Sequence, residues 1–276
     1  MKRFLLIYLA FFKQQLKCLM EYKIDFLMGT IALGIQQIST FLILLAVFTQ
    51  INAIASYSFN EILLFYGYSQ IVRGIDHIYN DNIWSVGWGK IQDGSFSLYL
   101  TRPINIVSHI IMEKIQFDGI GEFLLGLIIF IYAKLQLNLV FSLGDHLAFF
   151  IFLITGLAIY FAIKLICASI AFWTVSSGEL MTVTYEINSF SKYPLDIYKN
   201  VVLKSLLIYF LPFGVVSYIP MAYFLRDNQS IGKVLGFSYT SNNFLIMLTL
   251  IITIIFTIIS QFIWKLGLKK YNASGT

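Results

Sequence analysis

Apolar runs long enough to cross a lipid bilayer alternate along this chain with short polar connections. A hydrocarbon core of about 30 Å takes roughly 20 helical residues to span. Six stretches meet or approach that length, at 26–48, 59–78, 119–140, 146–173, 201–225 and 244–264. The third can begin earlier, near Val107, if its polar start is buried in protein. The fourth and fifth exceed a simple crossing, which predicts tilt or irregularity. The pattern therefore predicts an all-α integral membrane fold of six transmembrane helices over residues 24–270.

Residues 1–23 follow a different period. Lys13, Lys17 and Glu21 fall at i, i+4 and i+8, while Phe4, Leu5, Tyr8, Leu9, Phe12, Leu16 and Leu19 cover the opposite side. That spacing predicts an amphipathic helix lying in the membrane interface, either as a plain anchor or with its basic face toward headgroups or a partner. At the other end, 271–276 reads as a tail with no pattern.

Two polar islands stand out between the apolar runs. The first, 79–105, contains Trp84, Gly87, Trp88, Gly89, Lys90, Asp93, Gly94, Arg102 and Pro103. Trp favours the membrane interface, and Gly permits tight turns. This predicts a short helix held against the inner face and an extended exit over 100–103. Pro103 biases Arg102 away from helix, so the next helix starts after it. The second island, 174–200, carries Glu179, Glu186, Lys192, Pro194 and Asp196 and reads as a connection on the same side. The fifth apolar stretch then contains Pro212 and Pro220. Each Pro removes a backbone hydrogen bond, so 211–225 is expected to be a broken or re-entrant element near the outer face, or else part of a kinked continuous helix.

Composition narrows the class. Hydrophobic residues make up 58% of the chain and charged residues 12%, against roughly 45–50% and 25% in soluble domains. Too little charge is present to clothe a water-facing surface, which excludes a soluble globular protein. The net charge of +5 does not point to nucleic acid, because the basic residues sit in short connections beside apolar runs. Lys2, Arg3, Lys13, Lys17 and Lys23 precede the first run; Lys90, Arg102 and Lys114 follow the second; Lys192 and Lys199 follow the fourth; and Lys265, Lys269 and Lys270 close the sixth. The alternate connections are poorer, Arg226 and Lys233 excepted. The balance predicts both termini in the cytoplasm and an even number of crossings.

Catalytic patterns are missing. The sequence has no GxGxxG, no Walker-type phosphate loop and no HExxH, and its two cysteines, Cys18 and Cys167, have no metal-ligand spacing. Hence no catalytic, cofactor or metal residue is assigned, and any ATP used must be bound elsewhere. Ionisable groups inside a membrane are costly and mark function or structural pairing. Lys114, Asp118 and Glu122 form an i, i+4, i+8 stripe, and Lys164 lies deep in the fourth run. Lys164 is expected to pair with Glu122 or Asp118 across helices.

Several motifs together resemble the permease subunits of ABC-2 type transporters, in particular the branch formerly called domain of unknown function 990. They are Glu21-Tyr22-Lys23-Ile24-Asp25-Phe26-Leu27, Ile91-Gln92-Asp93-Gly94 with Leu100-Thr101-Arg102-Pro103-Ile104, and Lys192-Tyr193-Pro194-Leu195-Asp196-Ile197-Tyr198, followed by Leu211-Pro212-Phe213 and Tyr218-Ile219-Pro220. Their order covers nearly the whole chain. Thr101 stands where the family more often has Leu, a small departure. The resemblance implies six spans in the type V exporter-like arrangement, an amphipathic N-terminal helix and a coupling helix between the second and third spans. It also implies two permeases, identical or sister chains, on two separately encoded ATP-binding cassette subunits that hold ATP-Mg. On that reading Trp84, Trp88, Lys90, Asp93, Gly94, Arg102 and Pro103 form the ATPase-coupling interface of a plasma-membrane protein, and the Ile-, Phe-, Lys- and Asn-leaning composition suggests a bacterial source.

Two other classes compete: a gradient-driven secondary transporter or channel, which calls for internal repeats, and a membrane-embedded lipid enzyme, which calls for convergent acidic or His residues. No repeat between the halves is evident, and Asp118 with Glu122 supply the second only thinly. Aromatic-rich helices suit an amphipathic cargo and plain membrane lipids equally.

Overall fold

The structure, a computed structural model of the chain, describes residues 2–236 and 240–271. The tail beyond Tyr271 lies outside the described residues, as do the side chains of Phe4, Leu5, Asp25 and Phe26. Among the described residues every element is helical, apart from one isolated bridge between Ile54 and Tyr57. The helices are α1 (Lys2–Glu21), α2 (Lys23–Gln50), α3 (Phe59–Asn80), α4 (Ser97–Leu100), α5 (Ile106–Glu113), α6 (Gly119–Gln136), α7 (Leu143–Thr174), α8 (Gly178–Ser189), α9 (Val201–Ser205), α10 (Phe213–Phe224), α11 (Asn228–Leu235) and α12 (Asn242–Lys270).

Local chemistry fixes where the long helices begin. Ser58 accepts from the Glu61 amide while Glu61 accepts from the Ser58 amide at 2.7 Å, a capping box that starts α3. Ser142 and Asp145 do the same for α7, and Ser241 caps α12. Among the described residues four helices are long and apolar enough to cross a membrane: Leu27–Gln50, Gly119–Gln136, Leu143–Thr174 and Asn242–Lys270. Helix α3 does not join them by composition, since it carries Glu61, Arg73 and Asp76. Its 22 residues still reach about 33 Å. It is the central helix, buried from Ile62 to Gly74, with α6, α7 and α10 packed around it.

Helix α3 gives the bundle two ends. Tyr57 marks one and Trp88, in a π-helical turn at Val86–Lys90 that follows a 3-10 turn at Asp81–Ile83, marks the other. Helix α6 returns along α3, with Gly119 against Ile78 and Phe130 against Gly67. Helices α7 and α12 pack side by side in the same direction; Phe172 meets Trp264 and Gly267 at the Trp88 end. Small polar residues line this seam, and Thr249 and Thr253 return their hydroxyls to carbonyls one turn back.

The second half departs from the sequence-based expectation. Residues 174–200 are not a connection at one end. Helix α8 starts at the Trp88 end, where Gly178 touches the Trp88 ring, and the chain continues to Asp196 at the Tyr57 end. Segment 178–197 therefore runs the length of α3. The apolar stretch 201–225 is broken, one of the two outcomes its prolines predict, and does not run end to end. Its two halves, Val201–Phe210 and Phe213–Phe224, meet at 96° around Leu211 and Pro212. Asp196 before the pair and Asp227 after it both accept from the Tyr57 hydroxyl, at 3.0 and 2.8 Å. The pair is thus a hairpin that enters and leaves at the Tyr57 end. Pro212 makes the break, whereas Pro220 sits inside the continuous helix α10. The physical reason for the difference is composition: the hairpin, of which only the second half is buried throughout, is more apolar than the segment 178–197 that runs along α3.

Two smaller expectations also change. The third apolar run does not extend back through Val107. Helix α5 stops at Glu113, and Lys114 is extended, so Lys114, Asp118 and Glu122 share no helical stripe. The exit over 100–103 is bent, with Thr101 in the helical region, before Asn105 caps α5.

Candidate functional site: a shoulder on a buried charge network

The segment 81–105 builds a shoulder at the Trp88 end. Its middle is pinned to the start of α8, where the Ser177 amide and the Ser176 hydroxyl both donate to the Gly87 carbonyl, at 2.9 and 3.1 Å. A Cβ on Gly87 would lie 2.5 Å from Met181 Sδ, and one on Gly178 equally close to the Trp88 ring, so a side chain at either position would displace its neighbour. The reversal between α7 and α8 places Val175 at φ 70°, a conformation costly for a β-branched residue. Gly94 turns the chain at φ 74°, and Phe96 is buried among Phe172, Trp264 and Tyr271.

The seven residues expected at the coupling surface divide. Trp88, Asp93, Arg102 and Pro103 are exposed, together with Leu98 and Leu100. Trp84 instead turns inward, edge-on to Tyr185 at 5.6 Å, with its indole N–H buried. Lys90 is held inside the shoulder by Glu113, at 2.9 Å, and by Tyr99. Burial alone would raise Glu113, but the hydrogen bonds from Tyr99 and Lys90 outweigh it and hold the carboxyl below the usual glutamate range. Arg102 meets His109 at 3.0 Å. Burial, then the Arg102 charge, depresses the basicity of this imidazole, which suits it as acceptor from the guanidinium. Helix α1 braces the rear: Gln15 bonds the Glu113 carbonyl, Phe11 meets His109 and Phe12 meets Phe117. Lys13, Lys17 and Glu21 are exposed.

Behind the shoulder lies a buried charge network. Lys164 does not pair with Glu122 or Asp118. It pairs with Asp76 at 2.5 Å and with Asp81. Glu122 instead receives Arg73 at 3.6 Å, His77 Nδ1 at 3.3 Å and Gln37 at 3.2 Å. The reason is register: α3 lies between α6 and α7, so charges on the two outer helices meet α3 before they meet each other. His77 links the two groups, because its Nε2 faces Asp81 at 3.3 Å and Asp118 at 3.8 Å. A ring with carboxylates on both nitrogens suits the doubly protonated form, which donates from each. Gln37 carries the network into α2 and accepts from Tyr66 and Gln70, both at 2.5 Å.

Arg73, Asp76 and His77 are site residues that the sequence pattern alone did not single out. Their signal was present: 73, 76, 77, 80 and 81 share one helical face in an otherwise apolar run. Arg73 also stacks over Tyr185, 4.5 Å from its ring centre. A cavity of about 30 Å³, room for about two waters, is bordered by Arg73, Asp76, Trp84, Lys164 and Tyr185. The inward face of the shoulder and the network thus share one wall. Among the described residues no His, Cys, Asp or Glu set has metal-holding geometry.

An all-helical bundle with four to five apolar span candidates and a structured shoulder at one end defines a multi-pass membrane protein. The sequence pattern of the ABC-2 family transporter proteins matches residues 34–275, and the chain belongs to that family of ABC transporter permeases. No curated protein and no solved structure matches it. Membership implies association with ATP-binding cassette subunits, and the family's members are in general the non-catalytic membrane component.

Proposed function

We propose that this chain is the permease of an ATP-driven exporter, paired with a second permease and coupled through its shoulder to ATP-binding subunits that hold ATP-Mg. On this reading six segments cross the plasma membrane: α2, α3, α6, α7, 178–197 and α12. The Trp88 end and both termini then face the cytoplasm, in accord with the basic residues gathered there. Helix α1 lies along the inner interface, and the exposed apolar face of α2, from Ile24 to Val47, is covered by lipid or the second permease.

One observation carries the proposal. The shoulder exposes Trp88, Leu98, Leu100 and Arg102 outward while its inner residues, Trp84 and Asp81, contact the central charge network. Aromatic and Arg side chains dominate protein contacts of this kind. A push on the outer face is transmitted to α3 and α7 through side chains that have little room to yield. Conversion between states requires contacts that differ between them, and the bipartite network supplies such contacts. The test is co-expression with the genes that neighbour this one and co-purification of an ATP-binding cassette subunit, with ATP hydrolysis measured in parallel. Trp88→Ala combined with Arg102→Glu should abolish both association and stimulated hydrolysis while the chain still elutes as a folded species. Unchanged association in that variant would move the docking surface elsewhere.

A further inference from the structure

A groove of about 380 Å³ opens on the side of the bundle between α5, α7 and α12. Its lining is graded. Phe161, near the middle of α7, closes its inner part, with Val107 and Ile111 as apolar walls. Asn105, Ser108 and Lys265 stand at the Trp88 end. No carboxylate is among the lining residues, so nothing in the groove neutralises the exposed Lys265. The Asn105 carbonyl oxygen is committed to the Ser108 amide at 3.1 Å, which leaves its NH2 as a donor. Beside the groove α12 exposes Phe262 and Leu266, and Lys269 and Lys270 follow within two turns. An apolar slot with a cationic, donor-rich mouth, set where an apolar helix face meets lysines, has the polarity of one molecule type.

We infer that this groove binds an anionic glycerophospholipid, with an acyl chain along Phe161 and Ile111 and its phosphate at Lys265 and Asn105. Basic pockets between helices at a membrane surface recognise such headgroups, and the stem of a lysine lies along apolar surface while its ammonium reaches the phosphate. A zwitterionic lipid would fill the slot equally well but bring a second cation toward Lys265. The inference depends on the bundle lying in a membrane and not on how it meets an ATPase, so the two fail separately.

The full-length chain, purified in mild detergent, is titrated with phosphatidylglycerol or phosphatidylcholine, and retained lipid is counted by native mass spectrometry. The wild type should retain phosphatidylglycerol about fivefold more strongly, the preference expected for one lysine at a headgroup. Lys265→Ala, an exposed position, should bring the two lipids level, and Ser108→Trp, which fills the slot, should lower both. Equal retention by the wild type overturns the inference. So does a preference that survives Lys265→Ala, or one untouched by Ser108→Trp, which would mean the lysine attracts lipid outside the groove.

Discussion

Lys164 is held by two carboxylates, Asp76 and Asp81, and its side chain is 9% exposed. Removing one partner of such a cluster strands the opposite charge, which costs about 3–5 kcal/mol, whereas removing both can be nearly neutral. Lys164→Met should therefore lower the melting temperature in detergent sharply, and adding Asp76→Asn should recover much of the loss. A Lys164→Met protein as stable as the wild type would show that the ammonium does not hold α7 to α3. That residue 164 needs a partner is legible in the sequence, because an ammonium in an apolar run has few alternatives. The identity of the partner is not, because it depends on which helix lies between α6 and α7. The polar face formed by Arg73, Asp76 and His77 is legible too, as a helical period of charge, but only once α3 is known to be enclosed by protein.

At the scale of the element, hydrophobic length locates the long helices to within a few residues, since burial and crossing demand the same thing of a helix. It finds α3 at 59–78 but misses α8, whose polar side chains face protein. Nor does hydrophobic length reveal how closely α3 and α6 approach. A Cβ on Gly67 would lie 2.6 Å from the Phe130 amide, and one on Gly126 would lie 2.7 Å from that of Ile71. Backbone cannot step aside as a side-chain tip can. Gly126→Ala should cost about 1–3 kcal/mol by overpacking and loosen Glu122 from Arg73 and Gln37, one turn away. A Cβ on Gly29 of α2 would meet nothing within 4 Å, which makes that position the control. Gly29→Ala should be neutral or gain up to about 1 kcal/mol from helix propensity. Thermal unfolding of the two variants side by side measures the difference, and equal melting would mean that α3 and α6 are not in backbone contact.

For the whole molecule, the sequence and the structure disagree on which segment makes the return journey after α7. Hydropathy favours 201–225 because it is the more apolar of the two, but the Tyr57 hydroxyl ties Asp196 and Asp227 to one end of the bundle. The difference is topological and can be read from outside. Lys199 and Gln229 flank the hairpin and are exposed, and Ser176 is exposed at the opposite end, before α8. In a background with Cys18 and Cys167 replaced by Ser, single Lys199→Cys and Gln229→Cys variants should react with a membrane-impermeant maleimide from the same side of sealed vesicles. Ser176→Cys should react only after the membrane is opened. If 201–225 were instead the crossing, Lys199→Cys and Ser176→Cys would label together, and Gln229→Cys would label from the opposite side. In that case the Tyr57 contacts would not exist in the membrane, and the traverse by 178–197 would fall with them.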